Sequence, residues 1–203
     1  MNPSEEYLAG VALSAKQHAL GKNYSGKFLR PHRGRIKDII DRLGCKSILD
    51  YGCGRGDQYK WVSTRKEPLG QTLEQYWGIE VAKYDPAYPP FAAEPVGTFD
   101  LVIATHVLGL VPVQDLDWVI DRVFGLANKA IYIVLNTGST AKRNKARWRT
   151  ENIPTDWRAE EWLDLFQRHR PIGLEVQFIA RPVDPSKTSG RFIISDAGLR
   201  GPL

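Results

Sequence analysis

The fold is decided by the stretch Ser47-Ile48-Leu49-Asp50-Tyr51-Gly52-Cys53-Gly54-Arg55-Gly56-Asp57. It reads as a buried strand that ends in a carboxylate, followed by glycines at three alternate positions. Glycine carries no Cβ and tolerates positive φ, so the backbone can turn sharply and lie against a ligand. A strand that enters a glycine-rich turn before a helix is how an open α/β sheet forms a nucleotide site at its carboxyl edge. The stretch therefore predicts an α/β fold with a ligand site at its first loop.

The spacing of the glycines separates the possible ligands. A dinucleotide-binding loop has the pattern G-x-G-x-x-G. Here the third slot is Asp57, while Gly56 comes one residue early and gives G-x-G-x-G behind an acid. A nicotinamide-dependent oxidoreductase is therefore disfavoured. A glycine turn that binds no ligand is the structural alternative.

Length and composition are those of one small enzyme domain. The chain has 203 residues, a net charge of +5 and no apolar run near the ~20 residues that a membrane span needs, so no membrane partner is expected. Residues 1–6 are acidic and polar, unlike a signal peptide. A disulfide between Cys45 and Cys53 would obstruct the glycine loop, so we expect reduced thiols and a cytoplasmic protein. No Cys or His cluster has metal-ligand spacing, and no metal is expected.

The apolar pattern predicts a single domain over 1–203, with a helical N-terminal cover (1–45) and a substrate-side loop (137–156). Strands and helices alternate through residue 135 and two strands close the chain, which favours a mostly parallel sheet with an antiparallel C-terminal hairpin. The expected strands are 47–50, 79–84, 99–105, 130–135, 174–180 and 191–195, and the expected helices are 3–20, 35–43, 58–64, 115–126 and 157–169.

Four segments occur in the order found in a known enzyme family. They are SILDYGCGRG (47–56), KYDPAYPPF (83–91), FDLVIATHVLGLVP (99–112) and DLDWVIDRVFGLANKAIYIVL (115–135). The chain resembles the class I S-adenosylmethionine (SAM)-dependent methyltransferases, and it looks most similar to a group of small bacterial and bacteriophage-type members. The resemblance implies a Rossmann-like class I methyltransferase fold, SAM as the cofactor and methyl transfer as the activity. The rival hypothesis is a SAM-binding regulatory or scaffold module without catalysis.

The resemblance also implies which residues hold the cofactor. Asp50 ends the first strand beneath the loop, where its carboxylate can accept hydrogen bonds from loop amides or pair with the ligand's ammonium. The glycines let the backbone approach the methionine part and the ribose. The implied cofactor-binding residues are Asp50, Tyr51, Gly52, Cys53, Gly54, Gly56, Asp85, Pro86, Thr105 and His106.

Two acids compete for the ribose. A carboxylate at the end of the second strand offers two acceptors to a cis-diol. Asp85 ends the extended run 80–84 and stands at the family-matching position, whereas Glu80 is nearer in sequence to the first motif. We favour Asp85. The structural alternative is a turn aspartate before Pro86, because Asp-Pro commonly starts turns.

His106 follows the fourth strand of the family pattern, where the related group carries an aspartate. Gly109 and Leu110 likewise replace a Glu and a His of that group. A His that titrates near neutrality could act as a general base and be catalytic. It could equally line the adenine pocket without titrating. His18, His32 and His169 have no adjacent partner in sequence, so we expect surface or capping positions for them.

Two tempting motifs are rejected. Tyr88-Pro89-Pro90-Phe91 resembles the Pro-Pro motif of amino-methyltransferases acting on DNA bases, but it starts with Tyr and follows the wrong strand. It is interpreted as a proline-stiffened loop that can cover the adenine. Carbon methylation of cytosine needs a cysteine nucleophile in a substrate loop, and neither cysteine stands there.

The segment 137–150 is free of acids and rich in Lys and Arg. It follows the fifth strand of the family pattern, where substrate-recognition elements lie. Arg143, Asn144 and Arg147 are the predicted substrate-binding residues, because guanidinium forks suit carboxylate or phosphate. The expected partner is a polar or anionic methyl acceptor: a nucleotide, a nucleic acid or a small metabolite. A solvated basic face is the alternative.

Overall fold

Apolar strands at the centre of the chain build the sheet that positions the site. The computed structural model describes residues 3–21, 24–64, 69–138, 154, 157–182 and 189–201. Within them, seven strands lie in the order β2-β1-β3-β4-β5-β6-β7. The first five strands are parallel, and β6 and β7 are antiparallel to their neighbours. The strands are β1 (Ile48–Tyr51), β2 (Val81–Tyr84), β3 (Phe99–Thr105), β4 (Ala127–Thr137), β5 (Glu175–Pro182), β6 (Gly190–Ser195) and β7 (Gly198–Arg200).

The mixed α/β fold with its mostly parallel sheet and antiparallel C-terminal strands confirms the fold class expected from the sequence. From β1 the chain crosses to β2 on one side and then to β3 on the other, so the direction of winding reverses at β1. In open α/β sheets, ligands bind in the crevice outside the carboxyl ends of the strands at such a reversal. The glycine loop after β1 lies at that point.

Helices cover both faces of the sheet. Those of the described residues are α1 (Glu5–Ala19), α2 (Arg33–Leu43), α3 (Asp57–Lys60), α4 (Leu73–Trp77), α5 (Leu116–Gly125) and α6 (Ala159–His169), together with short 3₁₀ helices such as Lys27–His32 and Pro89–Phe91. One apolar cluster joins α5 and α6 to one face, with Trp162 and Phe166 fully buried. A second joins α2, α4 and Leu29 to the opposite face, where Ile103 and Tyr132 lie.

Helix α1 lies at the carboxyl edge of the sheet. At its start, the backbone N–H of Ser4 donates to Asp115 Oδ1 (3.0 Å), just before α5. Near its end, His18 Nε2 lies 3.7 Å from Asp85 Oδ1, just after β2. The helix therefore runs from the start of α5 to the end of β2.

Several expected elements differ in extent from the observed ones. The helix expected at 58–64 begins one residue earlier and ends sooner, at Asp57–Lys60, and α4 was not expected. Thr72 caps α4, accepting from the N–H of Gln75 while its own N–H donates to the Gln75 side chain (2.8 Å). Such a box fixes a helix too short to show periodicity. No helix within the described part of the chain is long and apolar enough to cross a membrane.

Candidate active site

The glycine loop ties the end of β1 to the end of β2. Gly52, Gly54 and Gly56 have φ of 78°, 63° and 68°, a region in which residues with a Cβ are strained. The N–H groups of Gly52 and Cys53 both donate to the carbonyl of Tyr84, at 2.7 and 3.0 Å. Helix α3 then begins at Asp57. The loop therefore lies across the carboxyl ends of both strands.

The loop glycines are packed against protein atoms. A Cβ on Gly54 would lie 2.2 Å from the carbonyl oxygen of Tyr24, and one on Gly52 would lie 2.4 Å from Val107 Cγ2. The N–H of Arg55 also donates to the Tyr24 carbonyl (2.8 Å). The N-terminal segment thus reaches over the loop, and glycine is required at these two positions by close approach as well as by φ.

Asp50 is a buried carboxylate with one unused oxygen. Its Oδ2 accepts hydrogen bonds from the hydroxyl of Tyr59 (2.8 Å) and from Gln58 Nε2 (3.0 Å). Its hydrogen-bond donors are therefore side chains, and not the loop amides that were one of the expected partners. Its Oδ1 and the Oε1 of Gln58 are buried and accept no hydrogen bond from the described residues. Burial raises the pKa of Asp50 to about 6.

Asp85 stands directly after β2 and contacts the glycine loop. Its Oδ2 accepts from the N–H of Gly54 (2.9 Å), and its Oδ1 accepts from the N–H of Ala87 (2.9 Å). The second contact is the Asx turn expected of an Asp-Pro pair. Glu80 precedes β2 and is exposed, so it stands at the amino end of the strand. Of the two competing acids, only Asp85 lies at the carboxyl edge.

Aromatic rings surround Asp85. The imidazole of His18 lies 4.7 Å from the Tyr24 ring and 5.1 Å from the Tyr88 ring, measured between centroids. Tyr88 in turn lies 5.5 Å from Phe91, which packs against Gly56. The segment 88–91 therefore forms a short 3₁₀ turn whose rings lie beside Asp85 and the glycine loop.

His106 follows β3 with a φ of 58°, one of two described non-glycine residues with positive φ. Its N–H donates to the carbonyl of Val134 (2.7 Å), which holds it beside β4. Its Nε2 lies 3.4 Å from Arg181 Nη1 and, facing a guanidinium donor, is the acceptor. Burial, and next the charge of Arg181, lower the pKa of His106 to about 4. The imidazole is therefore neutral at pH 7.

The remaining predicted residues fall into two groups. Tyr51 is buried in the core with its ring 5.0 Å from that of Tyr84, and Pro86 and Thr105 are half-buried at the ends of β2 and β3. Cys53 is buried, its thiol donates to the Gly54 carbonyl (3.4 Å), and burial raises its pKa. Arg143, Asn144 and Arg147, like most of 137–156, lie outside the described residues.

Sequence reasoning missed the burial of two histidines. His18 and His32 were expected at surface or capping positions, and each is only 5% exposed. His32 does occupy the N-cap position of α2, but its side chain does not cap the helix. His18 contacts Asp85, and His32 Nδ1 lies 2.8 Å from the hydroxyl of Tyr132. The sequence offered only local information on these residues: the periodicity of α1 and the position of His32 just before α2. Neither feature indicates a partner that is distant in sequence.

Comparison with known proteins agrees with this architecture. A family model described as a methyltransferase domain matches residues 26–172, well over half of the chain. The chain therefore belongs to this methyltransferase family. Searches of curated proteins and of solved structures found no significant match. Helix α1 precedes the matched residues, so the contact of His18 with Asp85 comes from outside the family domain.

Proposed function

We propose that this protein is a class I methyltransferase that binds SAM at the glycine loop and transfers its methyl group to a polar or anionic acceptor. The observation that carries the proposal is the contact between Asp85 and Gly54 at the reversal point of the sheet. It brings together a strand-end carboxylate and a glycine turn, which suit a ribose and the methionine part of one ligand. The closer likeness to bacterial and bacteriophage-type enzymes stays a prediction.

The residues present fit SAM. The unused buried oxygens of Asp50 and Gln58 are acceptors without donors, which suits the ammonium of the methionine part. Asp85 suits the ribose hydroxyls, and the rings of Tyr88 and Phe91 suit the face of an adenine. SAM would supply an electrophilic methyl on a sulfonium. The chain's own task is to orient that methyl and the acceptor in line and to exclude water.

His106 is proposed as a wall of the acceptor pocket. A neutral imidazole whose conjugate acid has a pKa of about 4 is a weak base at pH 7, and its Nε2 already accepts from Arg181. These facts disfavour general-base catalysis by His106 and support a role as a neutral side chain that lines a pocket. The acceptor atom should then be nucleophilic at neutral pH without help from a strong base.

The experiment that tests the proposal is calorimetric titration of the full chain with SAM and with its demethylated product, followed by labelled SAM turnover on fractionated nucleic acids, nucleotides and metabolites. Saturable binding and label transfer are expected. Binding without transfer to any fraction would favour the rival, a regulatory or scaffold module, which the replaced residues 106, 109 and 110 suggest. Absence of SAM binding by the folded protein would overturn both.

Arg143, Asn144 and Arg147 stay predicted contacts of the acceptor. Replacing Arg143 and Arg147 by Ala should reduce turnover of the acceptor and leave SAM affinity nearly unchanged. If the acceptor is a nucleic acid, its affinity should fall steeply with salt, because phosphate neutralisation releases counterions. A small metabolite should give a shallow salt dependence. Full activity of the double variant would make this segment a solvated basic loop.

A further inference from the structure

A group of basic side chains lies next to His106, on the sheet face that α2 covers. We call it the basic cluster, and it consists of His32, Arg35, His106, Arg181 and Arg191. The fully buried Tyr132 lies at its centre: its hydroxyl is 2.8 Å from His32 Nδ1 and lies close to the charges of Arg35 and Arg191. None of these residues belongs to the predicted substrate segment 137–150.

Strand register brings the two arginines of the cluster to this face. Arg181 is two residues beyond Ile179 on β5, and side chains two apart share a face. Ile179 belongs to the apolar cluster under α2, and Arg191 of β6 is directly opposite it. Asn136, exposed at the end of β4, is in register with Arg181. The carboxyl ends of β4 and β5 and the amino end of the antiparallel β6 therefore present an amide and two guanidinium groups at one edge of the sheet.

No acid among the described residues pairs with the arginines of this cluster. Among the described residues, Arg35, Arg181 and Arg191 form no ion pair with Asp or Glu, whereas six other arginines do. Arg191 Nη2 donates to Gln177 (3.1 Å), and its buried Nε has no partner in the described structure. Positive charges gathered in one region repel one another, so this arrangement should cost stability until an anion joins it.

The histidines report the resulting field. Burial first, then the charges of Arg35, His106 and Arg181, lower the pKa of His32 to about 4. The pKa of His106 is also about 4, from burial and Arg181. Both imidazoles are therefore neutral at pH 7, and they leave the positive charge on the arginines.

The cluster adjoins the glycine loop. Val107, the residue after His106, packs on Gly52, so His106 lies one residue from the loop's wall. Phe28 packs edge-on against the His106 ring (5.3 Å between centroids) and is 54% exposed. An acceptor that reaches the loop past His106 would lie within reach of the guanidinium of Arg181.

We propose that the basic cluster binds the oxyanion of the methyl acceptor, a carboxylate or a phosphate, with Arg181 as its central contact. Planar guanidinium forks match both groups bidentately, which fixes orientation as well as position. The proposal rests on the proposed function for the identity of the ligand as the acceptor. It makes Arg181 a residue that determines substrate specificity, and it makes neutral acceptors poor substrates.

The test uses inorganic phosphate and malonate as probes, each titrated into the full chain at constant ionic strength set with chloride. The readouts are the affinity of each probe and the NMR signals of the His106 and His32 ring protons. The other titratable groups near these two rings are Arg35, Arg191 and Tyr132. Saturable binding is expected with at least one probe, together with an upward shift of the His106 titration midpoint, because the anion offsets Arg181. Stronger phosphate binding indicates a phosphorylated acceptor, and stronger malonate binding a carboxylate.

Arg181→Gln should lower the affinity for the more tightly bound probe by roughly tenfold or more, since a hydrogen bond to a charged group is lost. The matched control is Arg168→Gln, an exposed arginine paired with Asp164 on α6. Arg181→Gln should also leave the unliganded protein equally or more resistant to urea, which a merely structural arginine would not do. Unchanged probe affinity in Arg181→Gln, or no saturable binding to the wild type, would overturn the inference.

The two proposals fail separately. SAM binding without anion binding at Arg181 refutes the basic cluster as an oxyanion site and leaves the methyltransferase proposal standing. Anion binding at Arg181 in a protein that does not bind SAM refutes the methyltransferase proposal instead. A single-stranded oligonucleotide can be titrated in the same way. If its affinity per site equals that of phosphate and falls steeply with salt, the acceptor class extends to nucleic acid.

Discussion

The carboxylate of Asp85 accepts a hydrogen bond from the backbone N–H of Gly54, with 2.9 Å between Oδ2 and N. This bond links the end of β2 to the middle of the glycine loop, 31 residues earlier in the chain. His18 of α1 lies against the other oxygen. The end of β2, the glycine loop and helix α1 therefore meet at one carboxylate. We expect substitutions there to change the affinity for the proposed cofactor, SAM.

Asp85→Ala should weaken SAM binding by roughly 1.5–3 kcal/mol, the range for hydrogen bonds to a charged group. The control is Glu80→Ala, an exposed acid at the opposite end of β2, which should change the affinity little. Calorimetry with SAM and its demethylated product measures both. Asp85→Asn keeps an acceptor for the Gly54 N–H, so it separates loss of ligand contact from loss of loop geometry. A larger effect at Glu80 would refute the assignment of the ribose to Asp85.

Gly54→Ala should destabilise the fold more than Gly44→Ala does. Both glycines have positive φ, 63° and 58°, so both substitutions carry the backbone strain of roughly 1–2 kcal/mol. A Cβ on Gly44 meets nothing within 4 Å, whereas one on Gly54 would meet the Tyr24 carbonyl at 2.2 Å. Urea unfolding of the two variants measures the difference. Equal losses would mean that the N-terminal segment does not press on the loop.

Local patterns predicted the elements that local residues determine. The run FDLVIAT gave β3 with its observed bounds, because a continuous apolar stretch fits a strand buried on both faces. The same reasoning placed Asp85 at the end of β2. Helix α4 was missed because five residues carry no periodicity, although Thr72 and Gln75 have the spacing of a capping box.

Contacts between distant segments were not predictable in this way. The residues around His18 do not predict its contact with Asp85, and those around His32 do not predict its contact with Tyr132. Each pair forms only when the helices pack on the sheet. The basic cluster is similar: Arg181 and Arg191 belong to two strands, and only their register places them beside His106. A charge that is scattered along a sequence shows its field only after folding.

The pH dependence of stability should contain a contribution from His32. Its pKa is about 4 in the folded protein against 6.5 ordinarily, so the unfolded chain binds the proton more tightly. The stabilisation is complete above pH 6.5 and is lost as the pH falls towards 4, by on the order of 3 kcal/mol. His32→Gln should therefore lose less free energy of unfolding over this window than the wild type does. His169→Gln, which replaces a half-buried imidazole beside Asp117 and Asp121, is the control. Identical pH profiles for wild type and His32→Gln would contradict the burial of a neutral imidazole.

SAM affinity should rise with pH through the titration of Asp50. Burial raises the pKa of Asp50 to about 6, and a ligand ammonium beside its unused Oδ1 would favour the charged form. If SAM binds only the ionised carboxylate, its affinity should increase roughly tenfold between pH 5 and pH 7. Without ligand the sign is opposite, because a raised pKa means that stability is full below the ordinary value of 3.8 and is lost as the pH rises through 6.

Asp50→Asn should remove both effects together. The variant should bind SAM more weakly at pH 7 with a flat pH profile, and its free energy of unfolding without ligand should no longer fall between pH 4 and pH 7. Asp38→Asn, an exposed acid on α2, is the matched control and should keep both wild-type profiles. The opposite signs distinguish a carboxylate that waits for a cation from one that only packs. A SAM affinity that stays independent of pH in the wild type would show that the ammonium is held elsewhere, even if the stability profile behaves as expected.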